Sequence, residues 1–389
     1  MNEYDVIIIG GGPMGLATAA ELSKTNKTTL LLEQFHFFNQ KGSSAGLSRQ
    51  FRLQYAQKYM AQLALDSIPY WETLQETTSE TLIDPVGSLW FGDPSLSSQE
   101  GGIGAAMKVM DELHIPYEPL RANQIEKRFP FKEIPEDYTG FFQAQGGIIN
   151  LQATQKAFIQ ICRSAQNVTL RDYSPVTGID SRESGEIIVC TPDQEFTTQK
   201  LVISPGAYIN EILKHLGLSV DILIWEMSSA YYRKTADIEL PTWFVFQKPQ
   251  ETSLFYGFPE EAWAHPGFIR VAPDIPDQII YDPSQRSGKP SQKSLGYNEA
   301  WVRDHMHGLN PESELTATCL ITLTKDGQLL LLDTLPRSIP NNKNIVVYTA
   351  GWAAKFIPLI GKILSDLVLK HSTTYDISNF KIKYNSIKK

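Results

Sequence analysis

An apolar run, Val6-Ile7-Ile8-Ile9, leads directly into Gly10-Gly11-Gly12-Pro13-Met14-Gly15, and an alanine-rich segment from Leu16 to Leu22 follows. A second apolar run, Thr28 to Leu32, ends in the acid Glu33. Strand, glycine turn, helix, strand and acid in this order spell a βαβ unit of the dinucleotide-binding kind. Gly10 permits the tight turn, Gly12 lets a pyrophosphate approach the backbone, and Gly15 lets helix and strand pack closely. Pro13, next to Met14, falls in the first helical turn, where a missing N–H does no harm. The helix N-terminus then turns free N–H groups and its positive dipole end toward the phosphates. Glu33 stands where a carboxylate accepts hydrogen bonds from ribose hydroxyls.

At 389 residues the chain exceeds one comfortable core and is expected to divide into two domains. No apolar run approaches the ~18 residues of a membrane span, so no membrane partner is expected. The first apolar stretch lacks a basic flank and is taken up by the first strand, which argues against a signal peptide. A net charge of −8 disfavours nucleic acid as a partner. The lysines from Lys381 to Lys389 read as a solvated tail. Cys162, Cys190 and Cys319 are the only cysteines and form no CxxC pair, so neither a disulfide framework nor a zinc site is suggested, and a reducing cytoplasm fits. His305-Met306-His307 lies in a polar stretch without a third ligand at a telling spacing; a turn is expected there, and no metal. No nucleophile elbow points to hydrolysis.

Further strand-glycine-helix units occur at Lys200 to Ala207, with Gly206 in the turn, and at Ile345 to Gly351, where apolar residues from Ile360 to Val368 continue as a helical stripe. Together with the first unit they suggest one nucleotide-binding domain assembled from separated segments. Ser43 to Ser48 reads as a loop, and the basic run with Arg49, Arg52 and Tyr55 leads into a helix through Leu63 and Leu65. Gly87 to Gly92 reads as a buried strand. Residues 222–272 are rich in aromatics and β-formers and suggest an antiparallel sheet in a substrate domain.

Gly10 to Gly15 with Glu33, the Arg49/Arg52 run, Gly87-Ser88-Leu89, Phe255 to Pro259, Cys319, and Gly351 to Lys355 follow one another as in the monomeric sarcosine oxidase family, which the whole chain resembles. Phe37-Phe38-Asn39, Arg52 to Tyr55, Gly87 to Asp93, Ala350-Gly351-Trp352, Lys355-Phe356 and Ser372 to Ser378 are similar to its NikD-like branch, the piperideine-2-carboxylate oxidases of nikkomycin biosynthesis. The resemblance implies an α/β fold: a Rossmann-like FAD-binding domain of the glutathione-reductase type, plus an α+β catalytic domain with a mostly antiparallel sheet. The expected division is 1–86, 151–221 and 306–389 for FAD, and 87–150 with 222–305 for the substrate.

The same resemblance implies site residues. Gly10, Gly12, Pro13, Met14, Gly15, Glu33, Arg49, Val176, Gly206, Gly351 and Lys355 would hold FAD, and Cys319 would attach it covalently through the flavin 8α-carbon. Arg52 and Lys355 match the basic pair that holds a substrate carboxylate, as a planar guanidinium and a point charge can. Trp352 stands where the sarcosine-type pattern has a smaller residue and would shape a pocket for a flat ring. Glu100 and Asp274 resemble pocket acids that orient a ring nitrogen or carry its proton. Arg270 replaces a lysine that activates oxygen, keeping the positive charge but changing its shape. The expected reaction is oxidation of a small cyclic imino or amino acid, piperideine-2-carboxylate to picolinate, by a monomer that reduces oxygen to hydrogen peroxide. An N-methyl amino-acid or secondary-amine oxidase on the same scaffold is the first alternative, and a flavin-carrying binding protein the second.

Overall fold

The structure is a computed structural model and describes residues 2–99, 101–249, 254–325 and 327–386. Glu100, expected in the site, and the last lysines of the tail lie outside the described residues.

Val6–Ile9 sits inside a six-stranded sheet of order Leu330–Thr334, Ile345–Ala350, Leu201–Ile203, Val6–Ile9, Thr29–Leu32 and Val168–Arg171. The last five run parallel, and Leu330–Thr334 adds an antiparallel edge. Parallel strands inside a sheet are covered on both faces, which is why Val6–Ile9 and Leu201–Ile203 are unbroken apolar runs, whereas the edge strand Val168–Arg171 is mixed and only partly buried. Val6 and Ile8 enter one core with the helices Pro13–Leu22, Leu151–Ser164 and Ile357–Lys370. Ile7 and Ile9 enter another, closed by the antiparallel strands Gly178–Ser181, Ile187–Cys190 and Glu195–Thr198. A Cβ on Gly361 would stand 2.6 Å from the Ala17 backbone, so only glycine lets those two helices meet.

A nine-stranded sheet forms the second layer. Its order is Gln278–Ile280, Ile222–Lys234, Phe268–Pro273, Phe255–Phe258, Thr242–Phe246, Ser88–Gly92, Thr139–Gln143 and Glu118–Arg121, with Leu309–Thr324 also paired to Ile222–Lys234. Neighbours are antiparallel except for Thr242–Phe246 beside Ser88–Gly92. The aromatic texture of residues 222–272 is thus a sheet, and Trp243, Phe255 and Trp301 stack in the core on one of its faces.

Leu309–Thr324, just past the expected boundary at residue 306, pairs with Ile222–Lys234 along nearly its whole length. Its run of β-formers prolongs a sheet whose partner strand lies far away in sequence. Arg49 is on a strand, Ser48–Phe51, paired antiparallel to Gly147–Asn150, and the expected helix through Leu63 and Leu65 follows as Lys58–Gln75. His305 ends the helix Gln292–His305, and Met306 bridges to Phe131 instead of lying in a free turn. Among the described residues no group of His, Cys, Asp or Glu could hold a metal ion, and no helix is long and apolar enough to cross a membrane.

Candidate active site

A cavity of about 770 Å³ is walled on one side by the glycine turn and on the other by the aromatic sheet. Gly10, Gly12, Pro13 and Met14 line it, with Glu33, Arg49, Val176 and Gly206. Gly10 has φ +108°, and a Cβ there would stand 2.5 Å from the Ser204 carbonyl oxygen. Gly15 is off the wall; its Cβ would stand 1.9 Å from the Gly10 carbonyl oxygen, so it serves helix-turn packing. Gly12 differs, since nothing lies within 4 Å of its Cβ position. Packing does not require that glycine, whereas a ligand at the helix N-terminus would. No side chain caps the helix that begins at Pro13.

Glu33 is buried and accepts from the Gly11 N–H at 2.7 Å and the Phe35 N–H at 2.9 Å. Burial pushes its carboxyl above the ordinary range, outweighing those two bonds. Arg49 donates to the carbonyl oxygens of Ser43 at 2.6 Å and Ala45 at 2.7 Å, pinning the small-residue loop to the cavity edge. Thr349 Oγ1 donates to the Gly206 carbonyl at 2.9 Å, tying two glycine turns together.

The opposite wall carries Arg270, Asp274 and Cys319, and Gly351, Trp352 and Lys355 join it from the end of Ile345–Ala350. Lys355 is only 4% exposed. Its Nζ donates to the Trp352 carbonyl oxygen at 2.6 Å and lies 5.5 Å from the Tyr55 ring centre. Its own carbonyl accepts from Trp71 Nε1 at 2.7 Å and Ser67 Oγ at 3.0 Å, which fixes the turn on the helix Lys58–Gln75. Trp352 has φ +30°, in the left-handed region where a large side chain is strained. Its ring meets Trp225 edge-on at 5.9 Å.

Arg52 is buried but is not part of the cavity wall. It donates to the Gln54 carbonyl at 3.0 Å, and its guanidinium lies over Tyr55 at 4.4 Å and Trp90 at 4.9 Å. Arg52 and Lys355 therefore meet at the Tyr55 ring. Asp274 is buried just past Phe268–Pro273, and its N–H donates to the Leu254 carbonyl at 2.7 Å. Cys319 lies opposite Met227 in the long strand pair. Arg270 stacks over Phe258 at 4.0 Å and donates to Ser48 Oγ at 2.9 Å.

Reading the sequence for function missed Phe244, Tyr256 and Phe258, all on the wall. Tyr256 and Phe258 share a face by strand alternation, and Tyr256 pairs in register with Phe244. Burial pushes the Tyr256 phenol up to about 12, so it stays protonated at neutral pH. The alternation was legible; which face met a cavity was not.

The open space at Gly12, the uncapped helix end and the buried acid at Glu33 together suit a dinucleotide, and the volume suits a small molecule beside it.

Comparison with known proteins bears on which dinucleotide. The FAD dependent oxidoreductase family matches residues 5–367. NikD, an unusual amino acid oxidase essential for nikkomycin biosynthesis, in its open form, superposes with a TM-score of 0.92 at 37% identity, over 99% of this chain and 98% of that one. Monomeric sarcosine oxidase from Bacillus is 25% identical over 100% of this chain and 97% of its own length. A Dictyostelium discoideum protein named as a bifunctional amine oxidase is 32% identical over 98% of this chain, which spans 37% of that protein's length. The chain belongs to the FAD-dependent oxidoreductase family and, within it, is a NikD-like flavoprotein of the sarcosine oxidase branch.

Proposed function

We propose that this amine or amino-acid oxidase acts on a small cyclic imino acid, piperideine-2-carboxylate, and takes it to picolinate. The observation that carries the reading is the buried Lys355 ammonium in the cavity wall, tied to Trp352 and facing the same space as Asp274. A buried cation and an indole that line the same cavity suit a flat anion, because they offer a charge to a carboxylate and a large apolar surface to a ring.

Gly10, Gly12, Pro13, Met14, Glu33, Arg49, Val176, Gly206 and Gly351 would hold FAD, with Gly15 packing the turn and Cys319 as the point of covalent attachment. When bound, the flavin supplies the hydride acceptor and the route for electrons to oxygen. Lys355 anchors the substrate carboxylate, and Arg52, against the same Tyr55 ring, supplies the second positive charge. Trp352 and Phe244 press on the ring and exclude water. Asp274 holds or takes the ring N–H proton, Glu100 is proposed as its acidic companion, and Arg270 serves the oxygen step. Loss of two hydrogens gives a dihydropyridine carboxylate and loss of two more gives picolinate, with one hydrogen peroxide formed for each pair.

We also propose that residues 1–86, 151–221 and the chain after Thr324 form the cofactor part, with the long strands on the substrate side. The working unit would be a cytoplasmic monomer. The test is peroxide release with piperideine-2-carboxylate, sarcosine and L-proline in parallel, following picolinate by ultraviolet absorbance. Picolinate with two peroxides per substrate supports the reading. Turnover of sarcosine or proline alone would replace it with secondary-amine oxidation.

A further inference from the structure

Arg270 does not stand alone as a positive charge. Its Nη1 lies 3.9 Å from Glu261 Oε1, and Ser48 Oγ bridges the two, accepting from Arg270 at 2.9 Å and donating to Glu261. All three side chains are buried; Arg270 is 6% exposed and Glu261 1%. Around the guanidinium, Tyr231 and Phe258 are its cross-strand partners in register. Neither carries a charge to balance it at neutral pH. Glu261 is a carboxylate held out of water beside a cavity-lining arginine, with one oxygen, Oε2, unpaired among the described residues.

We propose that Glu261 is a positioning residue and counter-ion for Arg270: it aims the guanidinium through Ser48 and sets the electrostatic potential that the cavity presents to the flavin. A pair at this separation cancels most of its field at a distance, so the site works with a nearly neutral couple instead of a bare cation. Removing Glu261 alone therefore uncovers positive charge, and removing Arg270 alone uncovers negative charge. The inference rests on the flavin site and is independent of the substrate assigned above.

The test uses the flavin-loaded enzyme and sulfite, an anion that adds reversibly to oxidised flavin and bleaches its visible absorbance. Glu261→Gln, which keeps the Ser48 hydrogen bond, should tighten sulfite about tenfold, and Arg270→Gln should weaken it about tenfold. Glu261→Asp should stay within about threefold of the parent, and the double variant should return close to it, the signature of a coupled pair. The flavin midpoint potential should move positive in Glu261→Gln and negative in Arg270→Gln. If a single substitution does not fold, the apolar pair Glu261→Met/Arg270→Met keeps the comparison, because a well-packed isostere replaces a buried ion pair at little cost. Weaker or unchanged sulfite binding in Glu261→Gln with an unmoved potential, or effects that simply add, would overturn the proposal. A protein that binds no flavin would instead sink the flavin site.

Discussion

The Lys355 ammonium donates to the Trp352 carbonyl oxygen at 2.6 Å, so a buried cation is anchored on a residue whose backbone is strained. The hydrogen bond and the wall around it hold Trp352 at φ +30°, where glycine is the relaxed choice. Trp352→Gly should therefore be more stable than Trp352→Ala by about 1 kcal/mol, the reverse of the usual order in regular structure. Thermal melting of both variants checks this, and equal stabilities would show that the backbone relaxes freely.

Lys355→Met keeps the stem and removes the charge. A hydrogen bond to a charged group contributes about 1.5–3 kcal/mol, so kcat/KM for a carboxylate substrate should fall about ten- to hundredfold. The bound flavin spectrum should persist. An unchanged kcat/KM would remove Lys355 from the anchor.

Two glycines of one turn should answer differently. Gly12→Val places its side chain in open space and should leave the fold intact while blocking the dinucleotide. Gly15→Val drives a Cβ to within 1.9 Å of the Gly10 carbonyl oxygen and should abolish folding. Circular dichroism with FAD titration separates the two effects.

Glu33 gives a pH dependence with a definite sign. Burial raises its carboxyl above the ordinary 4.5, so the acid form is favoured by folding. Its contribution to stability is full below 4.5 and lost as pH rises through the raised value. Ribose hydroxyls need the anion as acceptor, so dinucleotide affinity should drop on acidification, beginning above pH 4.5. Titrating FAD against pH in a Cys319→Ala background checks this, and Glu33→Gln should flatten the curve.

Cys319→Ala should still bind FAD, because Gly10, Gly12 and Glu33, proposed to hold its phosphates and ribose, line the other wall. Denatured in acid, the variant should release its flavin, whereas the parent should retain it as a fluorescent band on a denaturing gel. Release from the parent would end the covalent reading.

Local chemistry made the nucleotide half legible. The glycine turn, its flanking apolar runs and Glu33 sit within one short stretch, and backbone sterics dictate what such a stretch can do. The aromatic sheet was also legible, because alternation and β-branched residues report a half-buried surface. The sequence by itself left the long-range pairings open: Leu309–Thr324 joined the sheet because its partner strand, Ile222–Lys234, offered a matching ladder. Glu261 was likewise invisible. A surface carboxylate is the default reading of such a residue, and only the tertiary structure buried it against Ser48 and Arg270 from two other strands. Arg52 reads as a twin of Lys355, yet packing turned it onto Tyr55 and Trp90, off the cavity wall. Burial and orientation depend on neighbours distant in sequence, so residue type and spacing set the chemistry available to this chain while the fold decided which groups met.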